Sequence, residues 1–351
     1  MKLPSHIWHL HGAGYPNQRV VILGGTHGNE RTGVEIVETF LRALELLLEG
    51  VVAIDSEGGS FQVEGLLGDL YFGIGNPEAV RQDQRGATAE QPNLNRCFDP
   101  VMLADAKQDW GDLRRARELA PFLAWADVLI DVHAVSTEAV PFVCVGRLEE
   151  RHLRYLRHFP VSRVLTDPDN ILAEDSKRAG EKSSGLPTTD EVVNSHGGVG
   201  FAFETGNMRD FSRLPVVISA LEALLTESEV ADVEWINSFM QVVRRLAAEK
   251  YFGGSWPEMP ASPDVQHVFA LVECVVLDDQ ESDFRFEMGL DMTWATVQEG
   301  QLVATYESGK LAHASQSGAV IFPANPEKRR TEKSRDNSLF HLAQEWRQIS
   351  R

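Results

Sequence analysis

Val20-Val21-Ile22-Leu23-Gly24-Gly25-Thr26-His27-Gly28-Asn29-Glu30-Arg31-Thr32-Gly33 is the stretch whose reading decides the fold. Four apolar, mostly β-branched residues predict a buried strand, and the two glycines after them break it. From Thr32 to Leu48 apolar residues recur at helical spacing (Val34, Ile36, Val37, Phe40, Leu41, Leu44, Leu47, Leu48), which predicts a helix. His27 and Glu30 stand at its mouth. A separation of three puts both side chains on one face of a helical turn, where an imidazole and a carboxylate can converge on one ion. Imidazole and carboxylate are the ligand types of a zinc ion that keeps one position open for water. The plainer reading of the pair is a surface histidine and a first-turn glutamate. A phosphate-binding loop is rejected: Gly28 and Gly33 have its separation, but Val34 and Glu35 stand where it needs Lys and Ser or Thr.

Outward from that stretch, residues 69–74 read as a strand ending in Gly75-Asn76-Pro77. Strand, helix, strand at this spacing predicts parallel neighbours in an α/β sheet, whose ligands gather at the carboxyl ends of strands. Asp112 to Trp125 reads as a helix leading into Asp127-Val128-Leu129-Ile130-Asp131-Val132-His133. Its last residues alternate, so Asp131 and His133 share a face. His133 is a candidate third ligand and Asp131 a candidate group behind it; a polar strand terminus is the plainer reading. Gly197 to Gly206 is a short apolar strand carrying Glu204 near its end. Beside an activated water that carboxylate would serve as general base and then acid; otherwise it is a strand-terminal Glu facing solvent. The polar segment 81–98 holds Arg81, Arg85, Asn95 and Arg96, the side-chain types that fork a carboxylate, although from local sequence a solvated loop is the favoured reading.

Elsewhere the pattern is less pointed. Residues 1–19 read as an edge strand or turn with His6, His9 and His11; a metal there is conceivable, an incidental cluster plainer. Pro141 to Val145 reads as a strand and 150–158 as a helix, while the polar, irregular 167–197 suits a mobile active-site cover. Two helices are expected over 213–227 and 231–250. Gly253 to Pro263 is a Gly/Pro/Ser-rich boundary, dividing a catalytic domain (1–252) from a smaller β-rich domain (253–351) of short strands. The charge run 325–337 is expected to be a solvated loop before a short terminal helix.

Composition narrows the function. At 351 residues, 43% hydrophobic and 24% charged, the chain is that of a soluble globular protein able to bury a core. It has no apolar run of transmembrane length, and Met1 to Gly14 shows no secretory signal. The odd, scattered Cys97, Cys144 and Cys274 fit a reducing cytoplasm and argue against a disulfide framework or a thiolate zinc site. With 33 Lys and Arg against 52 Asp and Glu, the net charge of −19 repels nucleic acid and anionic lipid. An anionic substrate would need a local group of arginines.

Five segments then carry a resemblance. Gly24-Gly25-Thr26-His27-Gly28-Asn29-Glu30, Gly75-Asn76-Pro77, Asn93-Leu94-Asn95-Arg96-Cys97-Phe98, Asp131-Val132-His133 and Phe203-Glu204-Thr205-Gly206 occur in the order and rough spacing of the succinylglutamate desuccinylase/aspartoacylase family. The likeness spans roughly residues 20–227, with Glu299-Gly300-Gln301-Leu302-Val303-Ala304 and Val320-Ile321-Phe322-Pro323 resembling the family's C-terminal β segment. It implies a zinc carboxypeptidase-like α/β fold, with a mixed, mainly parallel sheet flanked by helices. It implies that His27, Glu30 and His133 bind one zinc per chain, that Glu204 is the catalytic carboxylate, and that Asn95 and Arg96 grip a substrate carboxylate. Arg85, nine residues after Asn76, matches the arginine that polarises the scissile carbonyl, with Arg81 or Arg114 as alternatives. The chain departs from the family in having Ala134-Val135-Ser136-Thr137-Glu138 after the third ligand, where Glu138 would repel a second substrate carboxylate.

The expected function is zinc-dependent hydrolysis of the amide bond of a small N-acyl amino acid, of N-succinylglutamate or N-acetylaspartate type. Oligomeric state is left open. Two other readings remain: a metallocarboxypeptidase acting on short peptides, which needs an open cleft, and a non-catalytic metal-binding or regulatory protein, which has no need of Glu204.

Overall fold

The computed structural model describes residues 2–14, 17–48, 57–88, 91–172, 188–259, 262–278, 283–327 and 338–350. Its centre is β2 (Arg19–Gly24), whose side chains alternate between two cores. Val20 and Ile22 pack on one face, with Phe40 of the helix Arg31–Leu47 and Phe239 of the helix Val233–Tyr251. Val21 and Leu23 pack on the other, with Phe122 and Leu119 of the helix Gly111–Leu123. A strand covered on both faces has no solvent side, which is why the run is apolar throughout rather than alternating.

β2 pairs in parallel with β4 (Asp69–Ile74) and with β5 (Val128–Val135), and β5 pairs in parallel with β8 (Val199–Asn207). These four strands all end on the same side of the sheet. The helix Arg31–Leu47 crosses those ends closely. A Cβ on Gly24 would lie 2.1 Å from the Gly33 carbonyl oxygen, and one on Gly33 would lie 2.4 Å from that of Val132. Gly25 follows with φ +69°, the left-handed turn that releases the chain from the strand.

Among the described residues the sheet continues to 12 strands. On one side of β4 lie β1 (Ile7–His11) and β3 (Gly58–Gln62); beyond β8 lie β6 (Phe142–Val145) and β7 (Arg163–Thr166). β9 (Val265–Val276) pairs in parallel with β7 and antiparallel with β15 (Ser338–Ser350), followed by β14 (Gly318–Ile321) and β11 (Thr296–Val297). A small antiparallel sheet, β10 (Phe284–Phe286), β12 (Leu302–Tyr306) and β13 (Leu311–His313), packs nearby. The architecture is thus the expected mixed, mainly parallel sheet flanked by helices, with smaller antiparallel β structure in the C-terminal part.

Three expectations are corrected. The terminal helix is strand β15: Leu339, Phe340, Leu342 and Ala343 are buried, and the segment is hydrogen-bonded along β9. Its short apolar run fits either periodicity, so the partner strand decided. β1 is not an edge strand, because the glycine-rich β3 flanks it. Within the irregular 167–197, Thr189–Ser195 is helical; the proposed cover falls partly on 173–187, outside the described residues, as does 328–337 of the charge run. No described helix is long and apolar enough to cross a membrane.

Candidate functional site

Glu30 caps the helix Arg31–Leu47, yet its side chain makes no capping bond. Its carboxylate is turned across the strand ends instead. One oxygen faces His27 Nδ1 at 2.8 Å and accepts from Arg85 Nη1 at 3.2 Å; the other faces His133 Nδ1 at 2.9 Å and accepts from the Ala134 amide at 3.0 Å. All three side chains are buried. One ligand atom from each of His27, Glu30 and His133 lies within 4.8 Å of the others, a group that could hold a metal ion.

Both imidazoles are held from behind. His133 Nε2 lies 3.0 Å from Asp131 Oδ2, and His27 Nε2 lies 3.2 Å from Asn93 Oδ1. With each Nε2 engaged outward, each Nδ1 is left toward the shared centre, the arrangement by which outer partners orient metal-binding histidines. Asp131, fully buried, also accepts from Thr26 Oγ1 at 2.8 Å and Thr189 Oγ1 at 2.6 Å.

The electrostatics fit a cation. Burial opposes ionisation of Glu30, but His27 and His133 hold its carboxyl well below the usual carboxylate range. Burial likewise works against a charged His133, yet Asp131 and Glu30 keep it well above its ordinary value. Burial, helped by Arg85, pushes His27 down to about 4. The Glu30 carboxylate and the neutral His27 beside a proton-holding His133, with Asp131 behind it, form a donor set in which a divalent ion can replace the proton on Nδ1.

Glu204 stands opposite His133 in the β5–β8 register, so their side chains emerge on the same face of neighbouring strands. Its Oε2 is buried with no hydrogen-bond partner. Burial pushes its carboxyl up to about 8, with His133 opposing and Glu30 adding to the rise. Such a group exchanges a proton near neutrality.

Arg85 is positioned by a cap. Asn76 accepts from the Ala79 amide at the start of the helix Pro77–Gln82 and donates to Asp112 at 2.7 Å, while Asp112 also accepts from the Thr88 amide. The loop between Asp83 and Thr88 is therefore tied at both ends around Arg85. Arg81 and Arg114 do not reach the pocket, and Arg114 pairs with Asp109 instead. The short turn Leu94–Arg96 brings in the remaining pair. Asn95 Nδ2 lies 3.2 Å from His133 Nε2, its Oδ1 accepts from the Thr189 amide, and Arg96 Nη1 donates to the Asn95 carbonyl.

His27, Glu30, Arg85, Asn95, Arg96, His133 and Glu204 all line one pocket of about 240 Å³. Glu138 corrects an expectation. Ser136 and Thr137 line the pocket but Glu138 does not; its carboxylate accepts from Asn207 Nδ2 at 2.8 Å. The His6/His9/His11 cluster is structural at His9, which bonds Asp69 through Nε2 and Ser60 through Nδ1 and stacks on Tyr71. Asn93, Thr26 and Thr189 were not singled out individually from the sequence. Thr189 had no signal at all, being the first residue of a seven-residue helix.

No family model matches the chain. Over 125 residues it is 33% identical to a probable aspartoacylase of Parasynechococcus marenigrum, covering 33% of this chain and 34% of that protein. The chain thus spans about a third of the length of the curated relatives it matches first. Over 232 residues it is 23% identical to N-acyl-aromatic-L-amino acid amidohydrolase (carboxylate-forming) A of Danio rerio, covering 63% of this chain and 60% of that one. Its fold is similar to that of a succinylglutamate desuccinylase/aspartoacylase from Rhodobacter sphaeroides, with a TM-score of 0.60 at 15% identity and with 96% of this chain and 88% of that chain covered. The first three curated relatives are named aspartoacylase, and several structural neighbours are named succinylglutamate desuccinylase, the two names of the family that the five motifs resemble.

Proposed function

We propose that the chain hydrolyses the amide bond of a small N-acyl amino acid, with a divalent ion, zinc by ligand type, held by His27, Glu30 and His133. The observation that carries this reading is Glu204: a buried carboxylate with one oxygen unpartnered, facing the same pocket as the ligand group and the two arginines. A site that only stored a metal would have no use for it. When bound, the ion would supply Lewis-acid polarisation and would lower the pKa of water toward about 7.

The remaining steps belong to side chains. Glu204 takes a proton from the attacking water and returns it to the leaving nitrogen, which then departs as the free amine. Arg85 donates to the oxyanion as the carbonyl carbon becomes tetrahedral. Asn95 and Arg96 orient the substrate through its carboxylate. Asp131 and Asn93 keep both imidazoles aimed at the centre.

A peptide-cleaving reading is less well supported. Phe322, Pro323, Ala324 and Asn325 line the pocket, and Asn325 Nδ2 donates to the Ser136 carbonyl at 3.2 Å, closing the C-terminal part over the site. That enclosure suits a small substrate rather than an extended chain.

The test is free-amine release from N-succinyl and N-acetyl amino acids, with and without a chelator. Chelator-sensitive release is the expected result. Release from peptides alone, or silence throughout with one ion still bound per chain, would reject the amidohydrolase reading.

A further inference from the structure

Resting on that reading, we infer that the substrate bears a single carboxylate and that the rest of it, beyond the scissile amide, is uncharged and apolar. The basis is the unequal lining of the pocket. At one end stand the ligand group, Glu204 and the two guanidinium groups of Arg85 and Arg96. Later elements add a group of apolar side chains, Leu165 on β7, Leu172, Leu271 on β9, Leu277 just past it and Phe322, beside the polar Thr166, Asp167, Ser338 and His341, and Met208 joins the lining from just past β8.

Charge points the same way. Among the described residues no lysine lines the pocket, and Arg85 and Arg96 are its only arginines. The further ionisable groups beside the apolar wall are chiefly acids, Asp167 and Asp190, with His341 the one added imidazole. Asp190, Asp167 and Glu204 are close enough together to act jointly on the Cys144 thiol, which burial and these three carboxylates hold well above its ordinary pKa. A second carboxylate entering this region would lose its water, meet carboxylates and find no cation among the described lining.

Phe322 adds an independent sign that the wall is built rather than left over. Its φ of +48° is a conformation that a bulky side chain rarely adopts. Its amide donates to Thr293 Oγ1 at 3.2 Å, and its ring packs 6.0 Å from Phe142 with its side chain on the pocket. Strain of this kind persists only where the surrounding structure fixes it.

The experiment compares the full-length, metal-loaded chain on N-acetyl derivatives of leucine and methionine, of aspartate, and of lysine acylated at Nα, together with N-succinylglutamate. The expected result is kcat/KM at least about tenfold higher for the leucine and methionine compounds than for any other. Calorimetric Kd values for the same compounds on the metal-free chain should follow the same order. Those values decide the inference even if no compound is turned over, an outcome that would reject the amidohydrolase reading alone. Preference for aspartate or succinylglutamate in kinetics or binding overturns the inference and places the second carboxylate on a group outside the described lining. Preference for the lysine compound overturns it too, by making Asp167 and Asp190 the recognition groups. A second arm uses Met208→Arg, which adds a cation to the pocket lining. It should shift the leucine-to-aspartate ratio toward aspartate by about tenfold or more, and an unchanged ratio removes Met208 from the subsite.

Discussion

The two walls of the pocket are built on different principles. On the side of β2, β5 and β8, the polar groups are tied to one another: Glu30 to two imidazoles, an arginine and an amide, and Asp131 to an imidazole and two threonines. On the side of β7, β9 and the turn after β14, apolar side chains define a shape. A hydrogen-bonded network tolerates little change in any member, because a lost partner leaves a buried polar group unsatisfied. An apolar wall can change volume and keep its chemistry. On the proposed reading, the comparison assigns the reaction to the first wall and selectivity to the second.

Variants can break or sharpen that contrast. On the networked wall, Glu204→Gln should lower kcat by about 10²–10⁴-fold while each chain still binds one ion, read by stopped assay and metal content. Turnover within a few-fold of the parent would remove Glu204 from proton transfer. Arg85→Ala should cost about 2.7–4 kcal/mol of barrier, the loss expected when an oxyanion donor is removed. If kcat holds and only KM rises, Arg85 binds substrate instead.

Thr189→Val keeps the shape but takes the hydroxyl from Asp131. Ion affinity in a buffered metal titration should fall by about 10–100-fold, with Thr189→Ser restoring it. Equal losses in both variants would point to packing rather than to the hydrogen bond. Arg96→Ala should raise KM by about tenfold with kcat little changed, and an unaltered KM would end its role in gripping the carboxylate. Smallest of all is His9→Ala, far from either wall. Its part-exposed pair with Asp69 is worth about 1 kcal/mol or less, and ion content should stay the same; a lost ion would reopen the N-terminal cluster as a metal site.

Legibility followed distance along the chain. β2, the helix Arg31–Leu47, β4 and β5 were read with small boundary errors because burial on both faces and helical spacing are local patterns. β3 was not anticipated, since Gly58-Gly59-Ser60-Phe61-Gln62 has little strand character until β1 pairs with it. β15 was misread because its partner, β9, begins more than 70 residues earlier. The candidate site residues are brought to one pocket, but the bonds between them are not in any motif: Thr189 to Asp131 and to Asn95 joins positions 58 and 94 residues apart.

By itself, the sequence determined which side chains were available at which strand ends, because strand, turn and helix signals act over a few residues. Only the tertiary structure decided that Glu30 would forgo its helix cap to lie between two imidazoles, that Glu138 would turn away to Asn207, and that Leu271 and Phe322 would close the far side. Those outcomes depend on pairing between distant strands, and the free energy that selects a pairing comes from burying whole faces together rather than from any one segment.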